Sequence, residues 1–161
     1  MINHNAHNKN DTWLTPPELL TALGPFDLDP CVPPGMPWST AARHYVHGTH
    51  DGLIEPWEGF VWCNPPYSAP LPWITRMAAH GNGLLLLPAK SPETRWGQTL
   101  LTSADAVLFM RGRLLFHYID GRKSMGKWSP YLLAAYGQEA VDRLRQLSHS
   151  SDFGGILMGK V

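Results

Sequence analysis

The 161-residue sequence predicts an α/β fold organised on a mostly parallel sheet. Three observations carry that expectation. Gly83-Leu84-Leu85-Leu86-Leu87-Pro88 and Ala106-Val107-Leu108-Phe109-Met110 are unbroken apolar runs of strand length, the pattern of strands covered on both faces. Helix-length segments over 70–80, 93–102 and 138–147 separate or follow such runs, so strand and helix alternate. Phe60-Val61-Trp62-Cys63, a short β-prone run, stops at Asn64-Pro65-Pro66-Tyr67, where each proline lacks an N–H and biases its predecessor towards extended geometry. A stiff, open turn at a strand's C-terminal end is where open α/β sheets place their ligands.

Taken in order, residues 1–10 are expected to be a flexible polar leader and residues 11–161 a single domain. Thr15-Pro16-Pro17-Glu18 reads as a helix start, with Thr15 as N-cap, proline at the first helical position and glutamate three residues after the cap. Leu19, Leu20 and Leu23 supply its buried side, and Gly24-Pro25 ends it. Phe26-Asp27-Leu28-Asp29 alternates with period two and is expected to stop at Pro30 as a short strand. A constrained loop, Pro30-Cys31-Val32-Pro33-Pro34-Gly35, follows. Ser39 to Val46 is expected to form a short helix, and Asp51-Gly52-Leu53 a turn.

After the proline turn, Trp73, Ile74 and Met77 give the helix over 70–80 an apolar side. Leu114 to Lys123 reads as a hairpin turning at Asp120-Gly121. Tyr131 to Tyr136 is a returning buried strand. Gln138 to Leu147 is an amphipathic helix with Ala140, Val141, Leu144 and Leu147 along one face. The last ten residues read as an edge strand whose place is left open.

Composition excludes several classes. No apolar run approaches the ~20 residues of a membrane-spanning helix, and the leader lacks an apolar signal core, so the expected setting is cytoplasmic. Cys31 and Cys63 give neither a disulfide framework nor zinc spacing. His44, His47 and His50 recur every third residue without a zinc-like pattern, so no metal is expected. Net charge is zero but unevenly placed: residues 1–64 hold seven acids and two bases, residues 65–161 six acids and eleven bases. Arg111, Arg113, Arg122, Lys123 and Lys127, against Asp120 alone, form the densest basic stretch. It is either a polyanion-binding element or a solvated charged hairpin.

The turn after Cys63 carries the chemistry. Asn64 offers an amide acceptor, the prolines leave backbone carbonyls unpaired, and Tyr67 offers a flat ring. Such a set can receive an exocyclic amino group and sandwich the planar ring that bears it; the plainer alternative is a structural proline turn.

The ordered set Trp13-x-Thr15-Pro16, Phe26-Asp27-Leu28-Asp29-Pro30, Asp51-Gly52-Leu53, Trp57 and Asn64-Pro65-Pro66-Tyr67-Ser68 resembles the phage-type DNA N6-adenine methyltransferase (Dam-like) family. The similarity continues through Leu86-Leu87-Pro88-Ala89 and Arg111-Gly112-Arg113-Leu114-Leu115-Phe116, and covers roughly residues 11 to 136. The resemblance implies a Rossmann-like class I methyltransferase sandwich ending in an antiparallel hairpin, with S-adenosylmethionine as cofactor. It implicates Asn64, Pro65, Pro66 and Tyr67 in catalysis. It places Trp13, Thr15, Pro16, Asp27, Asp29, Pro30, Cys31, Asp51 and Asn64 around the cofactor, with Asp29 the better of the two strand carboxylates. Pro33-Pro34-Gly35 stands where the commoner pattern has Gly-x-Gly.

The implied reaction is methyl transfer to the N6 amino group of an adenine flipped out of duplex DNA, in the host cytoplasm if the gene is a phage's. Arg111, Arg113, Arg122, Lys123 and Lys127 are the expected phosphate contacts. Only 94 residues follow Tyr67, too few for a separate target-recognition domain, so sequence specificity is expected to be short or loose unless a homodimer or partner adds to it. Two other readings stay open: methylation of another planar amino group in RNA, a small molecule or a protein amide, and a non-catalytic methyltransferase-like binding module.

Overall fold

Leu84, Leu85, Leu86 and Leu87 are completely buried, so neither face of this strand can meet water and each needs its own helical cover. The computed structural model describes residues 12–125 and 129–160, and there the elements run α1 (Pro17–Leu23), β1 (Leu28–Val32), β2 (Arg43–Val46), β3 (Val61–Cys63), α2 (Leu71–His80), β4 (Gly83–Pro88), α3 (Arg95–Ser103), β5 (Ala106–Met110), β6 (Tyr131–Tyr136), α4 (Gln138–Ser148) and β7 (Gly155–Gly159). The strands form one seven-stranded sheet in the order β2-β1-β3-β4-β6-β5-β7. Five point one way; β6 and β7 run against them, so the β4–β6, β5–β6 and β5–β7 pairs are antiparallel. Successive side chains of β4 go to opposite layers. Leu84 and Leu86 pack with Leu19 and Leu23 of α1 and Leu144 and Leu147 of α4, while Leu85 and Leu87 pack with Ile74 and Met77 of α2 and Leu100 of α3. β1 and β3 are parallel neighbours, Leu28 opposite Val61, with their C-terminal ends on one side.

Three expectations need correction. The strand expected to stop at Pro30 continues to Val32. Its ladder with β2 is irregular between Asp29 and Val32, which accommodates a residue without an N–H, and the Cys31 N–H donates to the Asp29 carboxylate at 3.0 Å instead of to a strand. The helix expected over 39–46 is absent; its second half is β2, parallel to β1. The N–H groups of Thr40 and Ala41 instead donate to Nε2 of His44 at 3.3 and 3.2 Å, a local side-chain bond that holds this turn in a non-helical form.

The hairpin expected over 114–123 is reduced to one antiparallel bridge, His117 opposite Lys123. It turns through Ile119-Asp120-Gly121 rather than a two-residue Asp-Gly loop: the Gly121 N–H donates to Tyr118 O at 2.8 Å and Gly121 takes a φ of 84° that suits glycine. Both backbone groups of His117 are engaged by Leu14, at 2.9 Å each way, so the chain just before α1 forms a third, one-residue arm. Lys127 and the expected leader lie outside the described residues.

At the far end of the sheet Arg143 of α4 donates to the carbonyls of Leu23 and Pro25, both at 2.7 Å, and lies 4.1 Å from the centre of the Phe60 ring. It ties the end of α1 to the start of β3.

Candidate functional site

β3 delivers Asn64 to the C-terminal edge of the sheet from a rigid base, since Val61, Trp62 and Cys63 have no exposed surface. The Asn64 amide NH2 donates to the Trp13 carbonyl at 2.8 Å and to Thr15 Oγ1 at 3.3 Å. A backbone carbonyl can only accept, so the amide's nitrogen must face Trp13 and its oxygen must face the other way. That oxygen accepts from the Tyr67 hydroxyl at 2.7 Å, leaving one lone pair. Tyr67 is half-buried, its ring against Tyr131 and Phe116 with centroids 6.0 and 6.5 Å away. Burial, with Tyr131 and the two cysteines nearby, pushes its hydroxyl well above the usual tyrosine range, so it stays a donor at neutral pH. Among the described residues the Pro65 carbonyl accepts no hydrogen bond, whereas that of Pro66 accepts from Ala69 N at 3.3 Å.

Asn64, Pro65, Pro66 and Tyr67 line one wall of a cavity of about 810 Å³. Trp13, Thr15, Asp29, Pro30, Cys31 and Asp51 line the rest, together with Trp62 and Trp73. Asp29 is buried, and burial raises its carboxyl to about 6 even though hydrogen bonds from Thr40 Oγ1 (2.6 Å) and Cys31 N (3.0 Å) favour the charged form. The cavity therefore contains a desolvated acid whose ionised form a cation would stabilise. Asp51 reaches the cavity because its loop lies hard against β1: a Cβ on Gly52 would sit 1.9 Å from the Pro30 carbonyl oxygen, a distance only glycine avoids. The Asp51 carboxylate also accepts from Leu53 N at 3.0 Å, so the turn reading and the cavity position hold together. Cys31 and Cys63 meet across β1 and β3, both free thiols, and burial pushes the Cys63 thiol up.

Two residues expected here lie outside the lining. Asp27 sits at the other end of the β1 region, its carboxylate accepting from Phe60 N at 2.7 Å. Pro16 is the N-cap residue of α1, in place of Thr15, whose buried side chain turns to Asn64 instead. Thr40, the buried donor to Asp29, was missed; it lies eleven residues on, and no local pattern announces it. Arg111, Arg113, Arg122 and Lys123 are exposed and away from the cavity lining. Arg122 pairs with Asp120 at 2.8 Å, an exposed bridge of little energetic weight. Their loop still borders the site, since Trp13 packs against Phe116 and Tyr118. The histidines at 44 and 50 accept backbone N–H groups, and the described residues contain no cluster of three or more metal-ligating side chains.

The model of a family described as DNA N-6-adenine-methyltransferase (Dam) matches residues 3–130 of the chain. A curated protein named DNA N-6-adenine-methyltransferase, from Haemophilus phage HP1 (strain HP1c1), is 28% identical over 90 residues. That stretch is 53% of this chain and 50% of the phage protein, so the match spans about half the length of its relative. No solved structure matches the chain.

Proposed function

This chain belongs to the DNA N-6-adenine-methyltransferase (Dam) family, and from that premise we propose that it methylates the N6 amino group of adenine in DNA with S-adenosylmethionine as methyl donor. The observation that carries the reading is the Asn64 amide, fixed by the Trp13 carbonyl so that its oxygen faces Tyr67 and the cavity. We read the sheet as the Rossmann-like sandwich of class I methyltransferases; its support is the single sheet with helices on both faces and the site at its C-terminal edge.

The residues present fit the cofactor. The cavity falls within the ~300–1,000 Å³ of small-molecule sites. Asp29 would hold the cationic amino group, and Asp51, elsewhere in the lining, would accept from the amino group of the cofactor's adenine ring. When bound, the cofactor supplies a methyl group on an electrophilic sulfonium. The protein's part is to prepare the acceptor. An exocyclic amine on an aromatic ring is a poor nucleophile because its lone pair is delocalised. Asn64 Oδ1 and the Pro65 carbonyl, taking one proton each in hydrogen bonds, would draw the nitrogen towards tetrahedral geometry and free that pair. Tyr67 would hold the ring in line. Orientation of this kind can supply up to roughly 7–11 kcal/mol. The proton can leave to water.

A base inside a duplex cannot reach this cavity, so the target must be flipped out, at a cost of a few kcal/mol. The exposed cations Arg111, Arg113, Arg122 and Lys123 would contact phosphates, and Leu115, Ile119 and Met125 lie exposed among them, a mixture suited to a distorted duplex. The test is incubation of the purified protein with unmethylated DNA and, in parallel, with RNA, each with labelled S-adenosylmethionine, then mass analysis of the nucleosides. N6-methyladenine is expected. Label in cytosine, in RNA alone or in no nucleic acid would overturn the reading.

A further inference from the structure

Asn64 has four hydrogen-bonding positions, and three are occupied: both amide protons and one oxygen lone pair. Trp13 O fixes which way round the amide lies and the Tyr67 hydroxyl holds its oxygen, which leaves the twist of the amide about the line between those two contacts to the second proton. The second proton is held by Thr15 Oγ1 at 3.3 Å, from a side chain with 2% of its surface exposed. Thr15 is not used as a helix cap, and no helix geometry requires a hydroxyl there. Two contacts on one NH2 group fix the plane of the amide, and with it the direction of the remaining lone pair on the oxygen. Donation of both protons also concentrates charge on that oxygen, through the polarisation that links successive hydrogen bonds.

We propose that Thr15 is a positioning residue: its hydroxyl oxygen sets the plane of the Asn64 amide, and so aims the Asn64 oxygen at the target amine. The inference rests on the methyltransferase reading and gives Thr15 a role distinct from contact with the cofactor.

The test compares Thr15→Val, which keeps the branched shape and loses the acceptor, with Thr15→Ser, which keeps the acceptor. With enzyme saturated in S-adenosylmethionine, single-turnover methyl transfer to DNA should slow roughly ten- to hundredfold in Thr15→Val. The cofactor Kd should stay within about twofold, and Thr15→Ser should recover most of the rate. An independent readout is the side-chain amide of Asn64 in protein labelled with 15N-asparagine, assigned by its disappearance in Asn64→Ala. One of its two protons should move upfield in Thr15→Val and not in Thr15→Ser. An unchanged rate per cofactor-bound enzyme overturns the proposal. So does a loss confined to cofactor affinity, which would put Thr15 against the cofactor, or an equal loss in both variants that follows their melting temperatures, which would make it structural. If the wild-type protein methylates no DNA, the functional reading fails, and the asparagine spectra alone decide whether Thr15 holds the amide.

Discussion

At the scale of single residues, the two polar groups in the cavity wall should fail differently. Asn64→Ala should abolish methyl transfer, by a thousandfold or more on the scale of ~10²–10³ for one transition-state hydrogen-bond group plus lost orientation. Cofactor binding measured by calorimetry should change little; equal loss of both would make Asn64 a structural residue. Asp29 carries the opposite expectation. Unfolded, it releases its proton near pH 4; folded, near 6. The folded state therefore holds the extra proton across that window, and stability falls as pH rises through it, by roughly 3 kcal/mol in all. Asp29→Asn removes this dependence. The apoprotein variant should melt above wild type at pH 7.5 and close to it at pH 4, while binding S-adenosylmethionine less tightly. Identical melting differences at the two pH values would show that Asp29 ionises without penalty. In the wild type, cofactor affinity should rise with pH through about 6.

At the scale of elements, the loop carrying Arg122 and Lys123 is the place to test the proposed phosphate contacts. Replacing both by alanine should flatten the log–log salt dependence of DNA binding by up to about two units, with cofactor affinity unchanged. Anisotropy across a salt series measures it, and an unchanged slope would leave the loop a solvated face. The loop also shows what a sequence can and cannot disclose. β4, β5, β6 and the three later helices were legible because a run of one period decides them locally. β2 was not, because its partner is a strand eleven or more residues earlier, and the turn before it is held by a His44 ring nitrogen that accepts two N–H groups. β1 ran past Pro30 because a neighbouring carboxylate took the next N–H. In the site, turn chemistry singles out Asn64-Pro65-Pro66-Tyr67 but leaves a structural proline turn as the alternative; the four residues lie in the cavity wall. The roles of Asp27 and Thr15 were not legible, since Phe60 and Asn64, their partners, are 33 and 49 residues away.

At the scale of the molecule, the two cores meet at β4, so Leu86→Ala should cost about 2–5 kcal/mol and lower the denaturant midpoint of the whole domain in one transition. Loss of only part of the signal would mean that the layers unfold separately. The segment before α1 joins distant parts of the chain in another way: Leu14 is bonded to His117, and the carbonyl just before it orients Asn64. That carbonyl belongs to the main chain and is present whatever amino acid occupies position 13. A genetic screen for residues that support Asn64 would pass over it, returning Trp13 variants judged only by their side chain. Shortening the protein from its N-terminus would be informative where substitution is silent, since activity should vanish as the cut moves through residues 12 to 14, before the first helix has lost a single residue.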